Sequence, residues 1–220
     1  MAQYSENEVV YYYDSHPTEE DLMGESSIHA DLVLYLMLIL RWLFHRQRYA
    51  IFENLNFYQT ANPQESPLTP DIAVIKGAEF QDLPSWRIGK NGPAPQVVFE
   101  IGSSETWIRD LEEKPALYTR MGVQEYFAYD PHKHLLPKPK ERRHQKARRL
   151  FGWRLDPVKG EMYELPLRSD GSLWSIHLES LLVPEGQYLR LYDSQEQLRL
   201  TQAETLAEKL CSLGIDPDQL

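Results

Sequence analysis

Three consecutive segments constrain this chain more than anything else in it. Gln96-Val97-Val98-Phe99-Glu100-Ile101 is a strand-length, nearly continuous apolar run. A helix-length pattern follows from Ser104 to Met121 and ends at Gly122, a residue suited to a left-handed C-terminal cap. Glu125-Tyr126-Phe127-Ala128-Tyr129 is a second strand, stopped by Asp130-Pro131. Strand, helix and strand within about 35 residues is the spacing of a βαβ crossover, which joins parallel neighbours in a sheet. A run that is apolar at successive positions belongs to a strand covered on both faces, so helices are expected on either side of that sheet.

The remaining segments fill in an α/β chain. Ser26 and Ser27 are candidate N-caps for a helix running to about Arg46, with Glu25 and Asp31 near its positive end. Apolar residues go almost all round this helix, from Leu32 to Phe44, which predicts packing on more than one side. Short β-prone runs follow at Ala50–Phe52 and Leu55–Tyr58, and Asp71–Ile75 is a strand candidate directly after Pro70. Beyond residue 149, Gly152–Leu155, Met162–Leu165 and Gln187–Tyr192 read as shorter antiparallel strands, and Ala203 to Leu213 as a closing helix with Leu206, Leu210 and Leu213 on one face. The expected organisation is a polar leader over 1–24, a domain over 25–195 and a helical tail over 196–220.

Composition narrows the class. With 220 residues, 42% of them hydrophobic and 25% charged, the chain can bury a core without staples, and collagen-like or wholly disordered readings drop out. Cys211 stands alone, so no intramolecular disulfide is possible, and the chain suits a reducing compartment. The longest apolar run, Leu32 to Leu40, has nine residues. A membrane-spanning helix needs about 20. The N-terminus lacks the basic cluster and apolar stretch of a secretory signal, and a cytoplasmic protein is expected.

Charge is unevenly spread. The net charge is −10, yet Lys133, Lys138, Lys140, Arg142, Arg143, Lys146, Arg148 and Arg149 face Glu141 alone, a local +7. Such a stretch either gathers phosphates through its local field or is a solvated charged loop.

The residues that carry chemistry begin with two acids in apolar strand runs, Asp71 and Glu100. A buried carboxylate without a partner is costly, and two on neighbouring strands repel unless a cation sits between them. Mg²⁺, bound through one or two carboxylates plus water and phosphate oxygens, resolves that repulsion. Such an ion polarises a phosphoryl oxygen and activates water, and a nearby ammonium, such as that of Lys114, stabilises developing negative charge. Asp110 and Lys114 are four residues apart, so a surface i,i+4 ion pair is the simpler use of both.

Taken in order, Pro70-Asp71, Val98 to Thr106, Asp110, Lys114, Tyr118 and Gly122 to Pro131 resemble the Uma-two family within the PD-(D/E)XK nuclease superfamily. The resemblance covers residues 70 to 131 and extends more weakly to Gly24-Glu25 with His29 and to Leu189–Asp193. It implies a restriction-endonuclease-like core, a mixed β-sheet flanked by helices, carrying extra antiparallel strands and a C-terminal helix. It further implies metal-dependent phosphodiester cleavage in DNA, with Asp71 and Glu100 as ligands of Mg²⁺ or Mn²⁺ and Lys114 assisting. In the wider superfamily a lysine follows two residues after the second acid, where this chain has Gly102. Lys114 on the next helix is the residue that could reach back instead. A catalytically inactive binding or assembly module on the same fold is the alternative.

Accessory residues have two uses each. Glu25 is either a first-helix acid at the metal or a complement to the helix N-terminus. His29, one turn on, contacts substrate or acts as a base, or is structural. Asp110 joins the site or pairs only with Lys114. Lys138, Lys140, Arg142, Arg143, Lys146, Arg148 and Arg149 are the expected phosphate-holding set. Trp86 and Trp107 stack on bases or pack in the core. His132, His134 and His144 lack zinc spacing, and Cys211 is expected to pack within the terminal helix. The leucine face of that helix either packs on its own domain or offers a surface for a homodimer.

Overall fold

The computed structural model describes residues 27–59, 66–103, 106–132 and 148–219. Helix α1 (Ser27–Leu43) leads into strand β1 (Tyr49–Glu53), the short strand β2 (Phe57–Tyr58), β3 (Ile72–Lys76) and the short β4 (Trp86–Arg87). Strand β5 (Val97–Ile101), helices α2 (Trp107–Glu112) and α3 (Lys114–Met121) and strand β6 (Glu125–Tyr129) form the crossover. Strands β7 (Leu150–Asp156), β8 (Glu161–Glu164), β9 (Leu173–Ser175), β10 (Ser180–Glu185) and β11 (Tyr188–Tyr192) precede helix α4 (Gln202–Ser212).

Six strands make the main sheet in the order β1-β3-β5-β6-β7-β8. Only β5 and β6 run parallel within it, pairing Val97 with Glu125 through Ile101 with Tyr129, and every other neighbouring pair is antiparallel. The fold is therefore mixed α/β, with a mixed sheet flanked by helices. A separate three-stranded antiparallel sheet, β11-β10-β9, accounts for the extra strands.

The crossover helix expected from Ser104 to Met121 is two helices. Pro115 sits in the first turn of α3. A proline there has no N–H to give and its ring crowds the carbonyl one turn back, so α2 ends and a new helix starts with Lys114. That restart aims Lys114 back at the end of β5. Gly122 takes the left-handed cap conformation at φ 84°, as its position foretells.

Successive residues of each strand enter opposite layers. Ile72, Val74, Val97, Phe99 and Ile101 pack with the buried face of α1 and with Leu182, Leu189 and Leu191 of the small sheet. Ala73, Ile75, Val98 and Ala128 pack instead with Trp107, Tyr118, Met121 and Tyr126. Phe99 thus faces α1, whereas Val98 and Glu100 face α2 and α3. Helix α1 meets β1, β5, β11 and α4, yet Leu34 and Leu38 remain 56% and 47% exposed, so one stripe of it is uncovered. No described helix is long and apolar enough to cross a membrane.

Candidate active site

The antiparallel register pairs Ile72 with Phe99. One residue further, it sets Asp71 across from Glu100, on the sheet face covered by α2 and α3. Both acids are buried, at 9% and 4% exposure. Asp71 is tied to the neighbouring strand through Oδ2, which accepts the Ile101 N–H at 2.6 Å. Its Oδ1 lies 3.3 Å from Nε2 of His29, at the start of α1.

Lys114 closes the other side. Its Nζ is 2.9 Å from Glu100 Oε1 and 2.7 Å from Asp110 Oδ1, and Asp110 is 1% exposed. The i,i+4 spacing of Asp110 and Lys114 does produce an ion pair, but a buried one shared with Glu100. Asp110 is also held through Oδ2 by the Thr106 hydroxyl at 3.1 Å. Glu100 Oε1 accepts a further bond from the buried Tyr118 hydroxyl. Both donors to Glu100 fall on Oε1, and neither takes up Oε2.

The electrostatics follow from crowding acids in a dry place. Burial pushes the Glu100 carboxyl up to about 8; Lys114 opposes this, Asp71 and Asp110 add to it, and the Tyr118 bond counteracts it. Burial likewise raises Asp110 against the pull of Lys114. For Lys114, burial works to lower the pKa, and the combined field of Glu100 and Asp110 outweighs it, so the ammonium is held charged. Burial above all keeps the Tyr118 and Tyr126 hydroxyls protonated and therefore donors.

Three carboxylates near one ammonium leave an excess of negative charge, which adds to burial in raising Glu100. An all-oxygen donor set suits a hard divalent cation such as Mg²⁺ or Mn²⁺. Among the described residues no group of three or more His, Cys, Asp or Glu side chains would hold a metal by itself. Asp71 and Glu100, buried across from one another, are the two carboxylates that such an ion would use, with water or phosphate oxygens completing its shell as is common for Mg²⁺.

Position 102 has no room for a side chain while Trp107 stays in place. A Cβ on Gly102 would lie 2.2 Å from Trp107 Cε3, so the Trp107 ring occupies the space a side chain there would need. The ammonium arrives from α3 instead.

Other expected residues separate clearly. Glu25, Lys138, Lys140, Arg142, Arg143 and Lys146 lie outside the described residues. Arg148 bonds the Leu150 carbonyl at 2.9 Å, pairs with Glu164 and covers the Phe151 ring. Arg149 donates to the carbonyls of Asp130 and Gly186 and to the Tyr129 hydroxyl. Both are thus engaged with the protein itself. Trp86 and Trp107 are 0% and 2% exposed, which selects core packing over base stacking. The backbone N–H of His132 donates to Asp130, while His134 and His144 lie outside the described residues. Cys211 is exposed, contrary to expectation, because α4 buries none of its residues fully.

Sequence reasoning assigned no role to Tyr118 and Thr106. Their signal was helical spacing: Tyr118 follows Lys114 by four residues, and Thr106 precedes Asp110 by four.

The chain matches the family model Uma2, described as "Putative restriction endonuclease", over residues 11–183. Among solved structures it is similar to a protein from Anabaena variabilis ATCC 29413, described as "a putative nuclease belonging to DUF820". The TM-score is 0.46 with 14% sequence identity, over 71% of this chain and 76% of that one. No curated protein matches. The family match spans well over half of the sequence, and the chain belongs to the Uma2 family.

Proposed function

We propose that this protein is a Mg²⁺- or Mn²⁺-dependent nuclease that hydrolyses phosphodiester bonds in DNA. The observation that carries this reading is the placement of Asp71 across from Glu100 with the Lys114 ammonium 2.9 Å from the latter. Asp71 and Glu100 would hold the cation, whose chemistry when bound is to polarise a phosphoryl oxygen and lower the pKa of water. Lys114 supplies a fixed positive charge where negative charge develops on the phosphate, and Asp110 with Thr106 holds that ammonium in place. His29 steadies Asp71 from α1. The basic residues Lys138, Lys140, Arg142, Arg143 and Lys146 would gather the phosphate backbone, giving affinity that falls with salt and is largely independent of sequence.

A dimer would present two sites to two strands, and the exposed Leu206 and Leu213 of the C-terminal segment offer a face for it. The free, exposed thiol of Cys211 fits a cytoplasmic setting.

Replacing Asp71 by Ala tests the nuclease reading. Loss of cleavage with an unchanged circular dichroism spectrum is expected; retained cleavage contradicts it. Because Lys114 is already paired with two carboxylates, the opposing reading is a self-compensated ion cluster in a binding module, which would show no divalent-cation effect at all.

A further inference from the structure

The donors around Glu100 form a second, unassigned part of the site. The Lys114 ammonium and the Tyr118 hydroxyl converge on Oε1 from the same helix, one turn apart. Tyr118 is 1% exposed. Its ring packs on Tyr126 with centroids 4.9 Å apart, and the Tyr126 hydroxyl donates to the Asp110 carbonyl at 2.8 Å. The Tyr118 ring is therefore backed by a residue of β6 that is itself bonded to α2.

We propose that Tyr118 is a positioning residue for the metal site: its bond to Oε1 sets the rotation of the Glu100 carboxylate and leaves Oε2 for a divalent cation. The inference rests on reading Asp71 and Glu100 as the cation-holding pair and extends it to a neutral side chain that touches neither metal nor substrate. Lys114 balances charge, whereas Tyr118 sets orientation. Without the hydroxyl, Oε1 would keep the Lys114 ammonium and lose the neutral donor beside it.

The test is calorimetric titration of Mn²⁺ alone into the 220-residue chain, well below its unfolding temperature, alongside DNA cleavage over a range of Mn²⁺ concentrations. Tyr118→Phe keeps the ring and removes the hydroxyl. It is expected to bind Mn²⁺ about tenfold more weakly, the usual effect of losing a group that orients a ligand, and to recover cleavage at high Mn²⁺. Tyr118→Leu should weaken binding equally while also lowering thermal stability. If Tyr118→Phe binds Mn²⁺ as tightly as the native chain while Glu100→Gln does not bind, the positioning role is wrong and the nuclease reading stands. If only Tyr118→Leu weakens binding, packing rather than the hydroxyl is responsible, and the proposal again fails. If the native chain and Glu100→Gln do not differ in Mn²⁺ binding, both readings fall.

Discussion

The carboxylate of Asp71 accepts the backbone N–H of Ile101 at 2.6 Å, so the first acid of the site is fastened to the residue that follows the second. This bond ties the spacing of the two carboxylates to the sheet itself. Asp71→Asn keeps an acceptor for that N–H and should fold normally. It should lack the Mg²⁺-dependent rise in melting temperature expected of the native chain, because an amide is a poorer partner for a hard cation. A ligand at one hundred times its dissociation constant stabilises a fold by about 2.7 kcal/mol, ample for a melting curve to detect. An equal Mg²⁺ shift in both proteins contradicts the assignment of Asp71.

Lys114→Met leaves Glu100 and Asp110 buried without their shared counter-charge. Breaking a buried ion pair by removing one partner destabilises by about 3 to 5 kcal/mol. Urea denaturation should show a loss in that range. A loss of a few tenths, as for a surface pair, would mean that the cluster is not the buried unit described.

Gly102→Ala puts a methyl group where the Trp107 ring lies. The ideal Cβ position is 2.2 Å from Trp107 Cε3, so the ring must move. A cost of about 1 to 3 kcal/mol is expected in chemical denaturation, as for other overpacked cores. Unchanged stability would show that Trp107 yields easily and that sterics do not explain the absent lysine.

His177 gives a pH dependence whose sign is fixed. Half-burial, helped by the charges of Arg154 and Lys76 and opposed by Glu125, holds its pKa below the ordinary 6.5. The unfolded chain therefore takes up the proton first. The stabilisation associated with the neutral ring is complete above pH 6.5 and is lost as the pH falls through the lower folded value. His177→Gln should lose less melting temperature than the native chain between about pH 7.5 and about pH 5. Parallel melting curves across it would contradict the shift.

Much of this was legible in the sequence for physical reasons. The crossover declared itself because strands buried on both faces read as continuous apolar runs and Gly122 marks the helix end. Asp71 and Glu100 stood out because acids rarely enter such runs. The break before Pro115 was hidden by a helix-compatible pattern on both sides of it. The burial of Trp107 over Gly102 and the reach of Tyr118 to Glu100 depend on side-chain directions, which helix periodicity limits but does not decide. Cys211 was misplaced because the leucine spacing of its helix suggested a buried face, whereas Leu206 is 52% exposed.

The central claim is tested most directly by comparing the native chain with Glu100→Ala at matched purity on plasmid, linear and single-stranded DNA, with Mg²⁺ or Mn²⁺ present and with the metal chelated. The account predicts cleavage by the native chain that requires the metal and vanishes in the variant. Cleavage that persists in Glu100→Ala, or a native chain that neither cleaves nor gains stability from either metal, would contradict it.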